Sequence, residues 1–263
     1  MNKKIFISTG EVSGDLHGSL LSRALFDEAK KYSIDLEICG LGGKRMRGEG
    51  VEVLKDTTSI SAIGIWEALP LIIPTLKIQK KFYKLIKNSP PNCLILIDYM
   101  GPNIKIGTKL KNSKTNIPIY YYIAPQEWAW RVGNNTTTDL INFSDKIFAI
   151  FKQEANFYKK RGGNVLWVGH PMIDLTKKLP LKKDARTILN LRPDQNILLL
   201  MPASRPQELR YVLPTFMRAA KKLQQKYPSL VVYIPSCRRA FDEIFKKALS
   251  KYQVNGLVIS QKD

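Results

Sequence analysis

The sequence has few of the residues that build metal centres or disulfide frameworks. Its 263 residues include only 3 cysteines and 2 histidines, and no two cysteines form a Cys-X-X-Cys pair. A structural zinc site needs about four closely spaced Cys or His ligands, and disulfides persist mainly in secreted proteins. The sequence therefore predicts reduced core cysteines in a cytoplasmic protein, with no metal site built from cysteine and histidine.

Long apolar runs are also absent. No segment reaches the roughly 20 consecutive apolar residues that a membrane-spanning helix needs. The N-terminal stretch passes from two lysines into an apolar strand at residues 5–8, which is shorter than the apolar core of a signal peptide. We therefore expect no export signal, and any contact with a membrane would be peripheral.

Acidic residues are scarce relative to basic ones. The chain has 22 Asp and Glu against 42 Lys and Arg, which gives a formal net charge of +20. A field of this sign attracts nucleic acid, anionic lipid or a phosphorylated substrate. No sequence signature of a nucleic-acid-binding fold is present. Charge alone therefore does not choose among these partners, and a surplus of functionally neutral surface lysines is the alternative.

Apolar runs of strand length alternate with segments of helical length, which is typical of parallel βαβ units covered by helices on both faces. Strands are predicted at residues 4–9, 36–41, 93–98, 119–124, 146–151, 165–168, 197–201, 230–235 and 256–260. Helices are predicted at residues 16–31, 66–87, 104–111, 154–160, 206–226 and 240–251. The predicted fold class is α/β.

A domain boundary is predicted in residues 172–183, where a Gly-His-Pro turn gives way to a stretch rich in lysine and proline. This divides the chain into two Rossmann-like domains, 1–173 and 174–263. The second has only three predicted strands, too few for a complete doubly wound sheet. We therefore expect the second domain to be incomplete.

The most informative loops follow the first and third predicted strands. Residues 10–18 read GEVSGDLHG, a glycine-bearing turn that matches neither a dinucleotide-binding nor a Walker A pattern. Asp98 ends the third strand, at the edge where ligands bind in open α/β sheets. A carboxylate there suits a general base acting on a sugar hydroxyl. The alternative for both loops is an ordinary turn with Ser13, Asp15 or Asp98 as a helix cap.

Two further loops carry aromatic or basic side chains. Trp128, Trp130 and Arg131 follow the fourth strand, where the aromatic faces could bind sugar rings or acyl chains, or simply anchor the core. Ser204 and Arg205 precede a helix that is predicted to begin at residue 206. Arginine beside the free N–H groups of a helix start favours a phosphate site over the alternative, an ordinary capped turn.

The stretch 63–74 is apolar, contains two prolines and is followed by five lysines at residues 77, 80, 81, 84 and 87. An apolar patch beside cations is typical of a peripheral contact with an anionic bilayer. The alternative is a core helix with a solvated lysine face. The predicted membrane contacts are Ile65, Trp66, Leu69, Leu71, Ile72 and Ile73.

Taken in order, these motifs resemble the lipid-A-disaccharide synthase family. The resemblance rests on GEVSGD at 10–15, Asp98 before Pro-Asn at 102–103, WAWR at 128–131, Gly-His-Pro at 169–171 and Ser-Arg at 204–205. It runs from residue 5 to the end of the chain. Members of the family are longer, so we expect this chain to lack the final third.

The resemblance implies a GT-B glycosyltransferase of family 19, inverting, independent of metal and without any other cofactor. It would transfer 2,3-diacylglucosamine from UDP to 2,3-diacylglucosamine 1-phosphate (lipid X), giving a β-1,6 disaccharide and UDP for lipid A and lipopolysaccharide biosynthesis in a bacterium. By this resemblance Asp98 is the general base for the acceptor 6-hydroxyl, and Arg205 stabilises the departing diphosphate. Such electrostatic stabilisation is commonly among the largest catalytic terms.

Other roles follow from the same resemblance. The protein would lie on the inner face of the cytoplasmic membrane, with residues 65–73 in contact with it; a homodimer of the full-length protein is left open, and no nucleic acid partner is expected. In the family, Glu11, Ser13, Gly14 and Asp15 belong to a loop that faces the cleft. The further predicted substrate-binding residues are Asn103, Trp128, Trp130, Arg131 and Ser204.

One departure and two alternatives accompany the resemblance. Many members carry a second carboxylate and then an aromatic residue where this chain has Gly101 and Pro102. The alternatives are another GT-B enzyme, such as a UDP-N-acetylglucosamine 2-epimerase, or a basic α/β protein that binds nucleic acid. The GEVSGD and WAWR motifs favour the lipid A family over the first alternative, and the lack of a nucleic-acid-binding signature counts against the second.

Overall fold

The computed structural model describes residues 2–58, 65–113, 115–129, 135–192, 194–202, 206–236 and 239–260, with only the backbone described at 65–72 and 206–208. The chain forms two compact units, Met1–Lys178 and Leu179–Asp263. The division falls within the lysine- and proline-bearing stretch of the sequence. The first unit includes a short helix that begins just before the boundary predicted at residue 173 and ends beyond it.

The first unit is a seven-stranded parallel sheet with helices. Its strands, in the order β3-β2-β1-β4-β5-β6-β7, are β1 (Asn2–Thr9), β2 (Asp35–Gly42), β3 (Glu52–Asp56), β4 (Cys93–Ile97), β5 (Ile119–Tyr122), β6 (Lys146–Ala149) and β7 (Val165–Trp167). Its helices are α1 (Glu11–Lys31), α2 (Lys44–Gly48), α3 (Ile65–Asn88), α4 (Met100–Asn112), α5 (Thr136–Phe143), α6 (Lys152–Lys159) and α7 (Met172–Thr176). The strand order reverses between β1 and β4, which is where ligands bind in doubly wound sheets.

Both faces of this sheet are buried, because neighbouring residues of a strand point to opposite faces. In β1, Phe6 packs into one core cluster with Phe82 of α3, and its neighbour Ile7 packs into the other. In β4, Leu94 and Leu96 enter the first cluster, while Ile95 and Ile97 enter the second. The continuous apolar run of each of these parallel strands therefore packs into the core on both faces of the sheet.

The second unit is a three-stranded parallel sheet in the order β10-β9-β8. It contains α8 (Lys182–Ile188), β8 (Ile197–Leu199), α9 (Pro206–Lys226), β9 (Val231–Ser236), α10 (Arg239–Lys251) and β10 (Gly256–Ser260). One apolar cluster joins α9 and α10 to the sheet, with Met217, Val232, Ile234 and Phe245 among its most buried residues. The predicted α/β class is confirmed, and each unit has the parallel sheet expected.

Several short elements were not predicted. The edge strand β3 reads EVLKD and is mostly exposed, so it lacks the apolar run by which the other strands were recognised. Helices α2, α5, α7 and α8 each have at most 8 residues, too few to show a helical period. Helix α1 begins at Glu11 rather than at residue 16. In the described ranges, no helix combines the length and the apolarity needed to cross a bilayer.

Candidate active site

The carboxyl ends of β1, β4 and β5 share an unusual backbone feature. Just after these strands, Glu11, Asp98, Tyr99 and Ile123 adopt positive φ values of 61°, 45°, 50° and 57°. Each such residue costs about 1–3 kcal/mol, and these conformations cluster at active sites. For the β-branched Ile123 the conformation is especially unfavourable. The strain therefore marks this edge of the sheet as a candidate functional site, a signal that the sequence did not show.

Asp98 is held firmly at this edge through its backbone. Its N–H donates to the Tyr122 carbonyl at 3.2 Å, and its carbonyl accepts from the Tyr121 hydroxyl at 2.7 Å and the Asn103 amide at 2.9 Å. Burial raises the pKa of its carboxyl to about 6, and the charge of Glu11 adds to this rise, while the backbone N–H of Tyr99 opposes it. The carboxylate is therefore a better proton acceptor than an exposed aspartate.

Asn103 ties the ends of β1 and β4 together. Its side chain is fully buried and donates to the carbonyls of Ser8, Ile97 and Asp98 at 3.2, 3.1 and 2.9 Å. Its amide oxygen accepts from the Ser8 hydroxyl at 2.7 Å. The predicted contact with substrate remains a prediction, but the geometry gives this side chain a different task, which is to fix the backbone of Asp98.

The GEVSGD motif forms the start of α1 rather than an extended loop. Gly10 lies against the ring of Tyr99, since an added Cβ would come within 2.3 Å of that ring. Gly14 lies against Thr9, whose hydroxyl oxygen would be 1.9 Å from an added Cβ. The two glycines therefore allow α1 to begin close to β1 and β4. Ser13 is exposed at this edge, as the predicted binding role requires.

Asp15 bonds to the start of α2, which follows the carboxyl end of β2, and stabilises that helix. Its side chain is buried, and one carboxylate oxygen accepts from the N–H groups of Gly43 and Met46 at 2.7 and 3.1 Å. The other accepts from the Arg45 N–H at 3.0 Å. These groups belong to the first turn of α2, where backbone N–H groups lack helical partners. The observed role of Asp15 is thus capping of α2, and its predicted part in orienting the acceptor remains a prediction.

We expect Asp15→Asn to lower the free energy of unfolding of the first unit by about 1–3 kcal/mol, because an amide NH2 would then face a backbone N–H. Asp27→Asn is the matched control, since Asp27 lies on the same helix and is exposed. Urea unfolding followed by tryptophan fluorescence is the measurement, because all 4 tryptophans lie in the first unit. Equal stability of the two variants would refute the capping role.

An aromatic row connects the loops after β5, β6 and β7 with α1. The rings of Trp128 and Phe151 are 6.0 Å apart, those of Phe151 and His170 are 5.4 Å apart, and those of His170 and His17 are 6.3 Å apart. Burial, followed by the charge of His170, lowers the pKa of His17. Two predicted motifs, around Trp128 and around His170, are therefore brought together on the same edge.

Glu154 is a site residue that sequence reasoning missed. It is completely buried, and its carboxylate accepts from the N–H groups of Ala124, Ile150 and Phe151 at 3.1, 2.9 and 3.2 Å. Burial raises the pKa of its carboxyl, and these three hydrogen bonds counteract the rise. The residue thus ties the ends of β5 and β6 beneath the aromatic row. Its position three residues after Phe151, in the first turn of α6, resembles a capping box.

One group of potential metal ligands occurs among the described residues. The donor atoms of Glu37, Cys39 and Glu52 lie within 4.8 Å of one another. The ammonium of Lys4 is 2.8 Å from Glu37, and burial raises the pKa of the Cys39 thiol to about 12. A paired carboxylate and a protonated thiol are poor cation ligands. The prediction that the reaction needs no metal remains a prediction.

Several predicted residues lie outside the described part of the chain. These are Trp130, Arg131, Ser204 and Arg205, together with Cys237. The backbone of α3 begins at Ile65, but the side chains of residues 65–72 are outside the described set. Of the predicted membrane contacts, only Ile73 has a described side chain, and it is 64% exposed.

Solved structures share this fold. A putative UDP-N-acetylglucosamine 2-epimerase from Listeria monocytogenes superposes with a TM-score of 0.67 at 11% identity, covering 100% of this chain and 70% of that one. The UDP-GlcNAc 2-epimerase from Neisseria meningitidis bound to UDP-GlcNAc superposes with a TM-score of 0.62 at 14% identity, covering 100% of this chain and 73% of that one. At such identities the likeness concerns the GT-B fold alone, not the activity.

Relatives in sequence are much nearer. The lipid-A-disaccharide synthase of Prochlorococcus marinus (strain MIT 9313) is 51% identical over 257 residues, which are 98% of this chain and 66% of the relative. The lipid-A-disaccharide synthase of Gloeothece citriformis (strain PCC 7424) is 43% identical over 259 residues, which are 98% of this chain and 67% of that relative. The chain thus spans about two thirds of its relatives. The model of the family described as lipid-A-disaccharide synthetase matches residues 5–263, and this chain therefore belongs to that family.

Proposed function

We propose that this chain, within a protein as long as its relatives, acts as a lipid-A-disaccharide synthase. The reaction is the transfer of 2,3-diacylglucosamine from UDP to 2,3-diacylglucosamine 1-phosphate, with inversion at the anomeric carbon. The observation that carries the proposal is Asp98, a partly buried carboxylate with a raised pKa at the strand-order reversal of a sheet whose sequence matches this family.

In this mechanism the Asp98 carboxylate removes the proton of the acceptor 6-hydroxyl. The oxygen forms a bond to the anomeric carbon of the donor, the bond from that carbon to the diphosphate breaks, and UDP leaves with the electron pair. A pKa of about 6 leaves the group ionised at neutral pH while bringing it closer to the pH of the reaction, which favours general base catalysis. Arg205 is proposed to stabilise the charge of the departing diphosphate.

The other predicted residues are proposed to position the substrates. Glu11 and Ser13 begin α1 beside Asp98, and the charge of Glu11 acts on the Asp98 carboxyl. Trp128 stands in the aromatic row and, with Trp130 and Arg131, would face a sugar ring or an acyl chain. Ser204 would contribute to the phosphate site near Arg205.

Peripheral attachment to the inner face of the cytoplasmic membrane belongs to the same proposal. Substrates with two acyl chains are retained in a bilayer, and cationic surfaces are attracted to anionic leaflets. The net charge of +20 and the exposed Ile73 in the first half of α3 support such a contact.

The direct test supplies UDP-2,3-diacylglucosamine and 2,3-diacylglucosamine 1-phosphate in detergent to the 263-residue chain and to a version extended to the length of its relatives. We expect the extended protein to form the disaccharide and UDP, which mass spectrometry detects. UDP-N-acetylglucosamine is the control substrate and should remain unchanged. Formation of its 2-epimer, with no disaccharide from the acylated substrates, would refute the proposal.

A further inference from the structure

A groove of about 560 Å3 opens between α3 and the ends of β2 and β3. Its apolar lining is formed by Leu41, Leu54, Ile78, Phe82 and Leu85. Leu41 and Phe82 belong to the core, whereas Leu54 and Leu85 are 38% and 36% exposed and present apolar surface to the groove. The volume lies within the roughly 300–1,000 Å3 that is typical of small-molecule sites.

The charged lining of the groove consists entirely of lysines. Lys77, Lys80, Lys81 and Lys84 stand at i, i+3, i+4 and i+7 of α3, so they share one side of the helix, and Lys55 of β3 completes the set. None of the five has a carboxylate within 4.0 Å in the part of the chain that the structure describes. Like charges so placed repel one another, and a bound anion would relieve that repulsion.

The groove begins close to the candidate active site. The side chain of Thr75 on α3 lies near the hydroxyl of Tyr99, and Tyr99 directly follows Asp98. Lys77 and Ile78 come two and three residues after Thr75 and line the groove. At 1.5 Å of rise per residue, this separation is only about 5 Å along the helix.

We propose that this groove binds one acyl chain of an acylated sugar phosphate, with the chain on the apolar lining and the phosphate on the lysines. The choice of an acylated sugar phosphate, and hence the acceptor, rests on the proposed function. The groove is concave, with apolar side chains beneath a cationic margin. A single chain with a single phosphate therefore fits it better than the flat surface of a bilayer does.

The test measures binding without turnover. The probe is 2,3-dihexanoylglucosamine 1-phosphate, whose short chains keep it monomeric, and its affinity for the 263-residue chain is measured by calorimetry. Leu54→Trp fills the groove and should weaken binding at least about tenfold, a loss of about 1.4 kcal/mol. The double variant Lys80→Glu/Lys84→Glu should weaken it equally. Lys87→Glu is the matched control, because Lys87 is an exposed lysine of α3 outside the groove.

A probe without the phosphate separates the two parts of the site. Leu54→Trp should weaken its binding, while the double lysine variant should leave it unchanged. Thermal unfolding of every variant shows whether the fold is retained. If Lys87→Glu weakens binding of the phosphorylated probe as much as the double variant does, the effect is general electrostatics and the proposal fails.

Two further outcomes would overturn the proposal. One is unchanged probe binding in a folded Leu54→Trp variant. The other is that both groove variants still bind the sugar phosphate normally but no longer bind phosphatidylglycerol vesicles. That result would make the groove a bilayer contact. The binding measurement requires neither the UDP-linked donor nor turnover. If the binding pattern holds but the extended protein makes no disaccharide, the groove stands and only the proposed transfer fails.

Discussion

Asp98→Asn is expected to lower the transfer rate of the extended protein by about 10²–10⁴-fold, the usual contribution of a general base. Asparagine has nearly the same shape but cannot accept the proton of the acceptor hydroxyl. The hydrogen bonds that the Tyr121 hydroxyl and the Asn103 amide donate to the Asp98 carbonyl do not involve the carboxyl group, so they should persist. Binding of the UDP donor, measured separately by calorimetry, should remain nearly unchanged.

The pH dependence of the parent enzyme provides an independent test of the same residue. A general base works when deprotonated, so log(kcat/KM) should rise with a slope of one below the pKa of Asp98, about 6, and level off above it. The Asp98→Asn variant should lack this acidic limb.

The same residue should also affect the pH dependence of stability. Because burial disfavours the ionised form of Asp98 in the folded state, the free energy of unfolding should fall as pH rises through 6. The variant, which carries a neutral asparagine, should not show this fall.

Asp174→Asn is the control for both measurements, since Asp174 is an exposed carboxylate on α7 of the same unit. It should leave the rate and the pH profile unchanged. If Asp98→Asn retains a rate within a few-fold of the parent, or if the acidic limb survives in it, Asp98 is not the base.

Asn103→Ala is expected to reduce the free energy of unfolding of the first unit by about 2–4 kcal/mol and to lower kcat as well. The substitution leaves the buried carbonyls of Ser8 and Ile97 and the Ser8 hydroxyl without this partner. Each unsatisfied buried group costs about 1–3 kcal/mol. The turn at Asp98 would lose one of the bonds that hold it, so the carboxylate would be less well placed. Urea unfolding and steady-state kinetics are the measurements.

The outcome distinguishes two roles for Asn103. A positioning role predicts lower stability together with a lower kcat, whereas a direct contact with the acceptor predicts a raised KM with stability unchanged. Asn112→Ala, at the exposed end of the same helix, is the control and should alter neither quantity. Only the second pattern would support the substrate-binding role that the sequence suggested.

The sequence was sufficient for the architecture and for the main catalytic candidate. Apolar runs such as those of β1 and β4 are continuous because both faces of a parallel sheet are buried, and this local pattern is legible without any structure. Parallel strands also bring their carboxyl ends to one edge, so a carboxylate after β4 was expected at the ligand-binding edge. Short elements such as β3 and α2 were not predicted, because they are too brief and too polar to show a hydrophobic period in the sequence.

Only the tertiary structure decided what the polar residues around that edge do. Asp15 was grouped with the cleft residues, but its partners, the N–H groups of Gly43, Arg45 and Met46, are 28 to 31 residues away. Asn103 bonds to Ser8 across 95 residues. Such partners depend on how strands are paired and helices packed, which no local pattern records.

The same holds for the burial, electrostatics and strain at this edge. The pKa of Asp98 is raised by burial and by Glu11, and the aromatic row assembles side chains from loops that are far apart in the chain. The positive φ of Asp98 is maintained by hydrogen bonds from the side chains of Tyr121 and Asn103. Residue types and their order thus determined the fold and placed the carboxylate. Burial, strain and long-range hydrogen bonds, which exist only once the sheet has formed, determined its environment.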